Sequence, residues 1–237
     1  AKVLYNNFNK LDWSVRPYYD LALFDPNKPL YWDLGTRLSS KIKFKPGLSI
    51  SGTADIPIYT NFDEIWRGVK GNLPHVRTDH KNYLNNTDPK IRNLLITSLF
   101  KLDSNLYGRL EAGYFEPSYA GVSSEILYFP SGHNFSIGAE LNYSKSRDYR
   151  QLFKLKELEG LSEINGHISG YWDTGYYDYL SQIDVGKYLA GDKGGTLKLT
   201  RDFRNGWKVG GFFTITDAPF SDFGEGSFDK GLFFKIP

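Results

Sequence analysis

Almost from end to end the chain alternates apolar and polar residues at a period of two. That is the repeat of an extended strand whose successive side chains point to opposite faces. In 135–143 one face carries Phe135, Ile137, Ala139, Leu141 and Tyr143, and the other Ser136, Gly138, Glu140 and Asn142. In 106–115, Leu106, Gly108, Leu110, Ala112 and Tyr114 oppose Tyr107, Arg109, Glu111 and Gly113. In 207–216, Trp207, Val209, Gly211, Phe213 and Ile215 oppose Lys208, Gly210, Phe212, Thr214 and Thr216. The pattern recurs near 11–23, 30–44, 48–58, 120–129, 162–172, 176–188, 195–203 and 228–236. Segment 91–102 is apolar on both faces, so its facing stays ambiguous. These segments predict about twelve strands, each close to the ~9–11 residues of a tilted membrane-crossing strand.

The connections carry a second regularity. Hairpin-turn compositions fall after the second, fourth, sixth, eighth and tenth strands: Lys45-Pro46-Gly47, Asp103-Ser104-Asn105, Pro130-Ser131-Gly132-His133, Asp173-Thr174-Gly175 and Arg204-Asn205-Gly206. Most connections after odd-numbered strands are longer, at 59–88, 147–160, 189–194 and 217–227, with 24–29 and 116–118 only moderate. Tight turns on one side and loops on the other is the parity of an outer-membrane barrel. A sandwich with an aromatic-rich core is the competing explanation, because sandwich strands also alternate. Pro17 has no N–H to give a ladder, which marks the first strand as an edge, a seam or a bulge.

Composition sharpens this picture. The 17 Tyr, 17 Phe and 5 Trp make 16% of the 237 residues, with 24 Gly and a mean hydropathy of -0.45. Many of the rings stand near strand ends, among them Trp13, Tyr19, Trp32, Tyr114, Tyr128, Tyr143, Trp172, Tyr177, Trp207 and Phe228. Such positions suit girdles where an amphipathic ring bridges lipid and water. The longest apolar run, Leu94 to Phe100, is far short of the roughly 20 residues of a spanning helix. No signal peptide is visible, and the chain begins at Ala1 without Met, so a processed chain or a portion of a longer one is expected. A net charge of +2 gives no reason to expect a nucleic-acid partner. The lack of cysteine removes disulfides, thiol catalysis and Cys-ligated metals.

Candidate chemistry is sparse. His75 and His80 share one loop without further metal ligands at suitable spacing, and His133 and His167 stand apart. The Asn-x-Ser/Thr matches at Asn134 and Asn142 fall at strands, which leaves only the one at Asn85 outside them. Gly191-Asp192-Lys193-Gly194-Gly195 precedes a strand rather than a helix and lacks the helix-terminus mechanism of a phosphate loop. Glu111, Glu125 and Glu140 lie on consecutive strands and could pair as acid and base in a barrel enzyme acting on glycans. Arg109, Lys198, Lys208, Lys101, Arg37 and Lys41 share their face, however, and mixed charges lining a wet interior are the commoner arrangement.

Several segments resemble the YjbH/GfcD family of bacterial outer-membrane proteins from exopolysaccharide and capsule gene clusters. They are LPHVRTDHKNYL (73–84), RLEAGYFEPSYAGVSSEILYFP (109–130), IGAELNYSKSRDYRQLF (137–153), the stretch 166–214 and FGEGSFDKGLFFKIP (223–237). GKYLAGD (186–192), RDFRNGW (201–207) and FGEGSFDKG (223–231) are the most distinctive, and the likeness covers roughly 30–237. The resemblance implies a barrel for polysaccharide secretion, beside a periplasmic export protein of the Wza type. Its members are usually longer, which makes this chain a late portion, and they offer no established catalytic residues to carry over.

The expectation is therefore one region, 1–237, forming an all-β, transmembrane antiparallel up-and-down barrel in the bacterial outer membrane, alone or with other barrel segments or chains. It would be a passive conduit for exopolysaccharide or capsule, without enzymatic activity, cofactor or metal. A glycan-modifying barrel enzyme and a purely anchoring barrel are the alternatives. Candidate lumen or polymer contacts are Arg109, Glu111, Glu125, Glu140, Asp178, Lys187, Asp192, Arg201, Asp202, Lys208, Glu225, Asp229 and Lys230. The last group of charges, beside Gly-rich turns, could instead cross-brace strand ends.

Overall fold

The computed structural model describes residues 8–23, 28–64, 76, 82–83, 89–149, 153–156, 163–220 and 228–235. Its strands are β1 (Leu11–Leu23), β2 (Leu30–Lys45), β3 (Leu48–Thr60), β4 (Lys90–Asp103), β5 (Leu106–Tyr114), β6 (Tyr119–Tyr128) and β7 (Phe135–Arg147). Then follow β8 (Leu155–Lys156), β9 (Ile164–Asp173), β10 (Tyr179–Lys187), β11 (Lys193–Asp202), β12 (Lys208–Thr216) and β13 (Asp229–Lys235). A 3-10 turn at Phe62–Glu64 follows β3. All belong to one 13-stranded sheet with neighbours in chain order, except that β9 follows β7 directly and the two-residue β8 pairs with the end of β7. Every pairing is antiparallel, so the sheet is an up-and-down meander.

The twelve long strands coincide with the periodic segments of the sequence. β8 falls within the stretch 147–160 expected to be loop, and β7 runs four residues past the expected 143. Closure is not seen: among the described residues β1 pairs only with β2, and β13 only with β12, so the sheet is open. Pro17 lies in β1, an edge strand, as its missing N–H suggested.

Tight turns gather at one end of the sheet. At Gly47 (φ 81) a Cβ would meet the Leu99 carbonyl oxygen at 1.9 Å, so a glycine is required by both conformation and space. The GDKGG segment makes a compact connection at the opposite end. There the Tyr188 N–H donates to the Asp192 carbonyl (2.8 Å) and the Gly191 N–H to the Tyr188 carbonyl (3.0 Å).

Registers assign the two faces. Across β5–β6–β7–β9–β10, for example, Ile126, Ala139, Ile168 and Val185 share one face, and Glu125, Glu140, His167 and Gly186 the other. The apolar face is the uncovered one: Leu141 is 59% exposed, Ile168 63% and Leu232 81%. The polar face is the sheltered one, with Ser136, Ser144 and Ser169 all buried. The buried hydrophobic residues are Tyr18, Tyr31, Phe62, Tyr83, Tyr119 and Ala120, with no aliphatic core among the described residues. This inverts the soluble pattern, in which the apolar face is the covered one.

Rings bound the apolar face at both ends. Trp13, Tyr128, Phe135, Trp172, Tyr179 and Trp207 stand towards the tight turns, and Tyr19, Trp32, Tyr59, Tyr114 and Tyr143 towards the loops. Trp32 stacks on Tyr59 with centroids 6.2 Å apart. Between the two rows the face is mostly aliphatic, with Ile96, Leu110, Leu141, Ile168 and Val185 all exposed and Ser98, Ser124 and Phe213 among them.

Candidate functional site: the polar face

The polar face carries three groups of connected side chains. Near the loop end of β1–β4, the Arg37 Nε donates to Asp55 Oδ1 (2.7 Å) and its Nη2 to Asp55 Oδ2 (2.9 Å). Arg92 Nη1 donates to Asp55 Oδ2 (3.1 Å) and to Asp20 Oδ2 (3.0 Å), and Lys90 lies 3.8 Å from Asp33. The β3–β4 register shifts between Thr53 and Ala54, where Asn93 and Ile91 are the successive partners, and that irregularity at Arg92 accompanies its reach across three strands. The bidentate Arg37–Asp55 fork fixes both position and orientation.

The second group spans β4 to β9. Thr97 Oγ1 donates to Glu111 Oε1 (2.9 Å), and Arg109 bridges Glu111 (3.3 Å) and Glu125 (2.7 Å). Glu125 faces Glu140 directly in register. Glu140 takes up His167 Nδ1 (3.2 Å) and the Asn142 amide (3.5 Å), and that amide also donates to Asn165 Oδ1 (3.2 Å). The two facing glutamates thus each have their own partner, one a guanidinium and the other an imidazole and an amide. Arg109, Glu111, Tyr119, Glu140, Asn142 and Asn165 line an open concavity of about 350 Å³.

The third group is neutral except for Asp184. Gln182 donates to both Asp184 oxygens (2.9 and 3.0 Å), while Tyr188, Thr196 and Thr214 form a hydroxyl chain at 2.6 and 2.8 Å. Burial pushes the Tyr188 phenol up from its ordinary range. The ring of His167 meets Tyr188 edge-on at 4.6 Å.

A buried cation ties the loop end together. Arg147 Nη1 donates to the Ile91 and Glu116 carbonyls, both at 2.9 Å, and its guanidinium lies 4.2 Å from the Tyr114 ring centroid. Its own carbonyl accepts from the Tyr83 hydroxyl at 2.5 Å.

Of the candidates read from the sequence, Arg109, Glu111, Glu125 and Glu140 come together in the second group. Asp202 and Lys208 pair with each other at 2.5 Å on the polar face, and Asp229 stands on that face opposite Thr214. Asp178 sits in a tight turn at φ 58, and Asp192 in the connection after β10. Glu225, His75, His80 and Asn85 lie outside the described residues. Three placements need correction: Lys187, Arg201 and Lys230 stand on the apolar face, not among the polar-face groups. Lys187 shares the parity of Val185 and Ile183, Arg201 that of Leu199 and Leu197, and Lys230 that of Leu232, because each is an even number of residues from them on a regular strand. Asp20, Asp55, Arg92, His167, Asn142 and Asn165 were not singled out as site residues. Their only signal was parity with neighbours of known facing.

These features define an antiparallel up-and-down sheet with a hydrogen-bonding face of charges, amides and hydroxyls and a ring-bounded aliphatic face. The chain belongs to the YjbH family: the family model described as "Exopolysaccharide biosynthesis protein YbjH" matches residues 1–237. It is similar to the "Uncharacterized lipoprotein YjbH" of Escherichia coli (strain K12), with 31% identity over 237 residues covering 98% of this chain and 34% of that protein. The chain thus spans about a third of the length of the curated relative it matches. No solved structure matches it.

Proposed function

We propose that this chain forms part of an outer-membrane β-barrel that serves as a passive conduit for exopolysaccharide, without catalysing a reaction. The observation that carries the reading is the inverted arrangement of faces: an exposed aliphatic band between two rows of rings, behind a sheltered polar face. A bilayer is the solvent in which that arrangement is favourable. Every long strand from β1 to β12 has at least 9 residues, enough for a tilted crossing. Membership of an exopolysaccharide biosynthesis family supplies the cargo, and a relative named as a lipoprotein is consistent with the cell envelope. Mixed charges, amides and hydroxyls exchange hydrogen bonds with sugar hydroxyls without holding one ion tightly, which suits passage. Glu125 and Glu140, engaged with Arg109 and His167, act as braces rather than as an acid–base pair. A periplasmic export protein of the Wza type would meet the tight-turn end.

These 237 residues hold no cysteine, so with any cysteine elsewhere in the protein replaced, single cysteines here report cleanly. In vesicles, Asn142→Cys is expected to react with a membrane-impermeant thiol reagent and Leu141→Cys is not; equal reaction of both removes the membrane reading. Asn142→Trp, which puts a large ring onto the polar face, is expected to lower exopolysaccharide release at unchanged membrane levels. Unchanged release removes the conduit.

A further inference from the structure

Arg201 is anomalous. It stands on the apolar face at the tight-turn end of β11, between Tyr179 and Val209 in register. Its Cζ lies 4.6 Å from the centroid of Phe203, 5.6 Å from that of Tyr177 and 5.7 Å from that of Tyr179. Arg37, Arg92, Arg109 and Arg147 all have carboxylate or carbonyl acceptors. Arg201 has none among the described residues, and its Nε is buried without a partner. The adjacent carboxylate, Asp202, points to the opposite face and is taken by Lys208.

A guanidinium carries five N–H donors in a planar fork, and burying part of it unpaired is costly. The three rings near it offer cation–π attraction but accept no in-plane hydrogen bonds. An oxyanion with two oxygens in the plane of the fork would satisfy the buried Nε and a terminal N–H together, at the level where an aliphatic band gives way to aromatic rings. We propose that Arg201, with Tyr177, Tyr179 and Phe203, forms a binding site for the phosphate of an anionic phospholipid on the tight-turn side of the membrane. The inference rests on the reading that the apolar face meets lipid. The phosphodiester takes the fork bidentately, and the rings lie along the upper acyl chains and glycerol. The protein thereby gains one tightly held lipid beside the β9–β10 and β11–β12 turns.

Full-length protein in non-ionic detergent, titrated with phosphatidylglycerol and read by native mass spectrometry, tests this. The wild type is expected to retain one lipid at concentrations about tenfold below those needed by Arg201→Gln, with Arg201→Lys between them because a lysine lacks the fork. Circular dichroism on each variant confirms the β fold, and Arg201→Lys carries the comparison if Arg201→Gln does not fold. Millimolar inorganic phosphate is expected not to displace the lipid. Displacement by phosphate overturns the lipid assignment in favour of a soluble anion. Equal retention by wild type and the folded variants overturns the site. Failure of the underlying reading looks different, since the wild-type protein then does not insert into vesicles at all.

Discussion

Replacing Ile168 by arginine places the largest demand on the face assignment. Ile168 is at the middle of β9, flanked in register by Ala139 and Val185, and nearly two-thirds of it is uncovered by protein. If lipid covers it, removing the isoleucine forfeits about 1–2 kcal/mol of apolar transfer for the exposed part. Placing arginine near the midplane adds about 2–4 kcal/mol. The sum is a loss of about 3–6 kcal/mol, a factor of a hundred or more in the folding equilibrium. If water covers the position, the same change stays within about 0.5 kcal/mol of zero. The matched control is Gln182→Arg on the polar face of β10, where the new cation inherits the Asp184 carboxylate; its expected cost is under about 1 kcal/mol. Urea-dependent folding into phosphatidylcholine vesicles, followed by tryptophan fluorescence, measures both. Equal costs for the two variants would refute the assignment of faces.

Other parts of the structure give sharper local expectations. Arg109→Leu lowers stability by about 1 kcal/mol, kept small by solvent screening, and Glu125→Gln in the same chain recovers most of it in a double-mutant cycle. Arg147→Ala strands two carbonyls and costs about 3 kcal/mol, measured by urea unfolding; Arg147→Lys recovers less than half, since one ammonium lacks the fork. Gly113→Ala puts a Cβ 2.1 Å from the Leu94 carbonyl oxygen at φ 132 and costs about 3 kcal/mol or more. Gly132→Ala, at φ 79 in open space, costs only about 1–2 kcal/mol, which thermal unfolding of the pair resolves.

The strands were legible because period-two alternation is the direct consequence of two faces with different surroundings. Turn chemistry at Lys45-Pro46-Gly47 or Arg204-Asn205-Gly206 then set their ends. Parity also contained the facing of Arg201, four residues after Leu197 and two after Leu199, yet its charge suggested a wet interior and overrode the count. The extension of β7 through Ser144 and Ser146 was hidden in the same way by Lys145 and Arg147. The Asp20–Arg37–Asp55–Arg92 group was illegible for another reason. It depends on register across four strands and on the irregularity at Arg92, and neither leaves a local signature. β8 owes its two residues to the adjacent β7 end rather than to any propensity of Leu155 and Lys156. Whether β1 meets β13 is a pairing between distant segments, which alternation does not encode.

The two free edges carry a consequence for biogenesis. An antiparallel edge strand turns roughly half of its N–H and C=O groups away from its sole neighbour, and in hydrocarbon each such group costs several kcal/mol. For β1, with 13 residues, the total exceeds the whole folding free energy of an ordinary domain. On the proposed membrane reading the sheet does not cross a bilayer as an independent raft. Its entry coincides with the pairing of β1 and β13, to each other or to further strands, which makes edge matching a checkpoint of insertion.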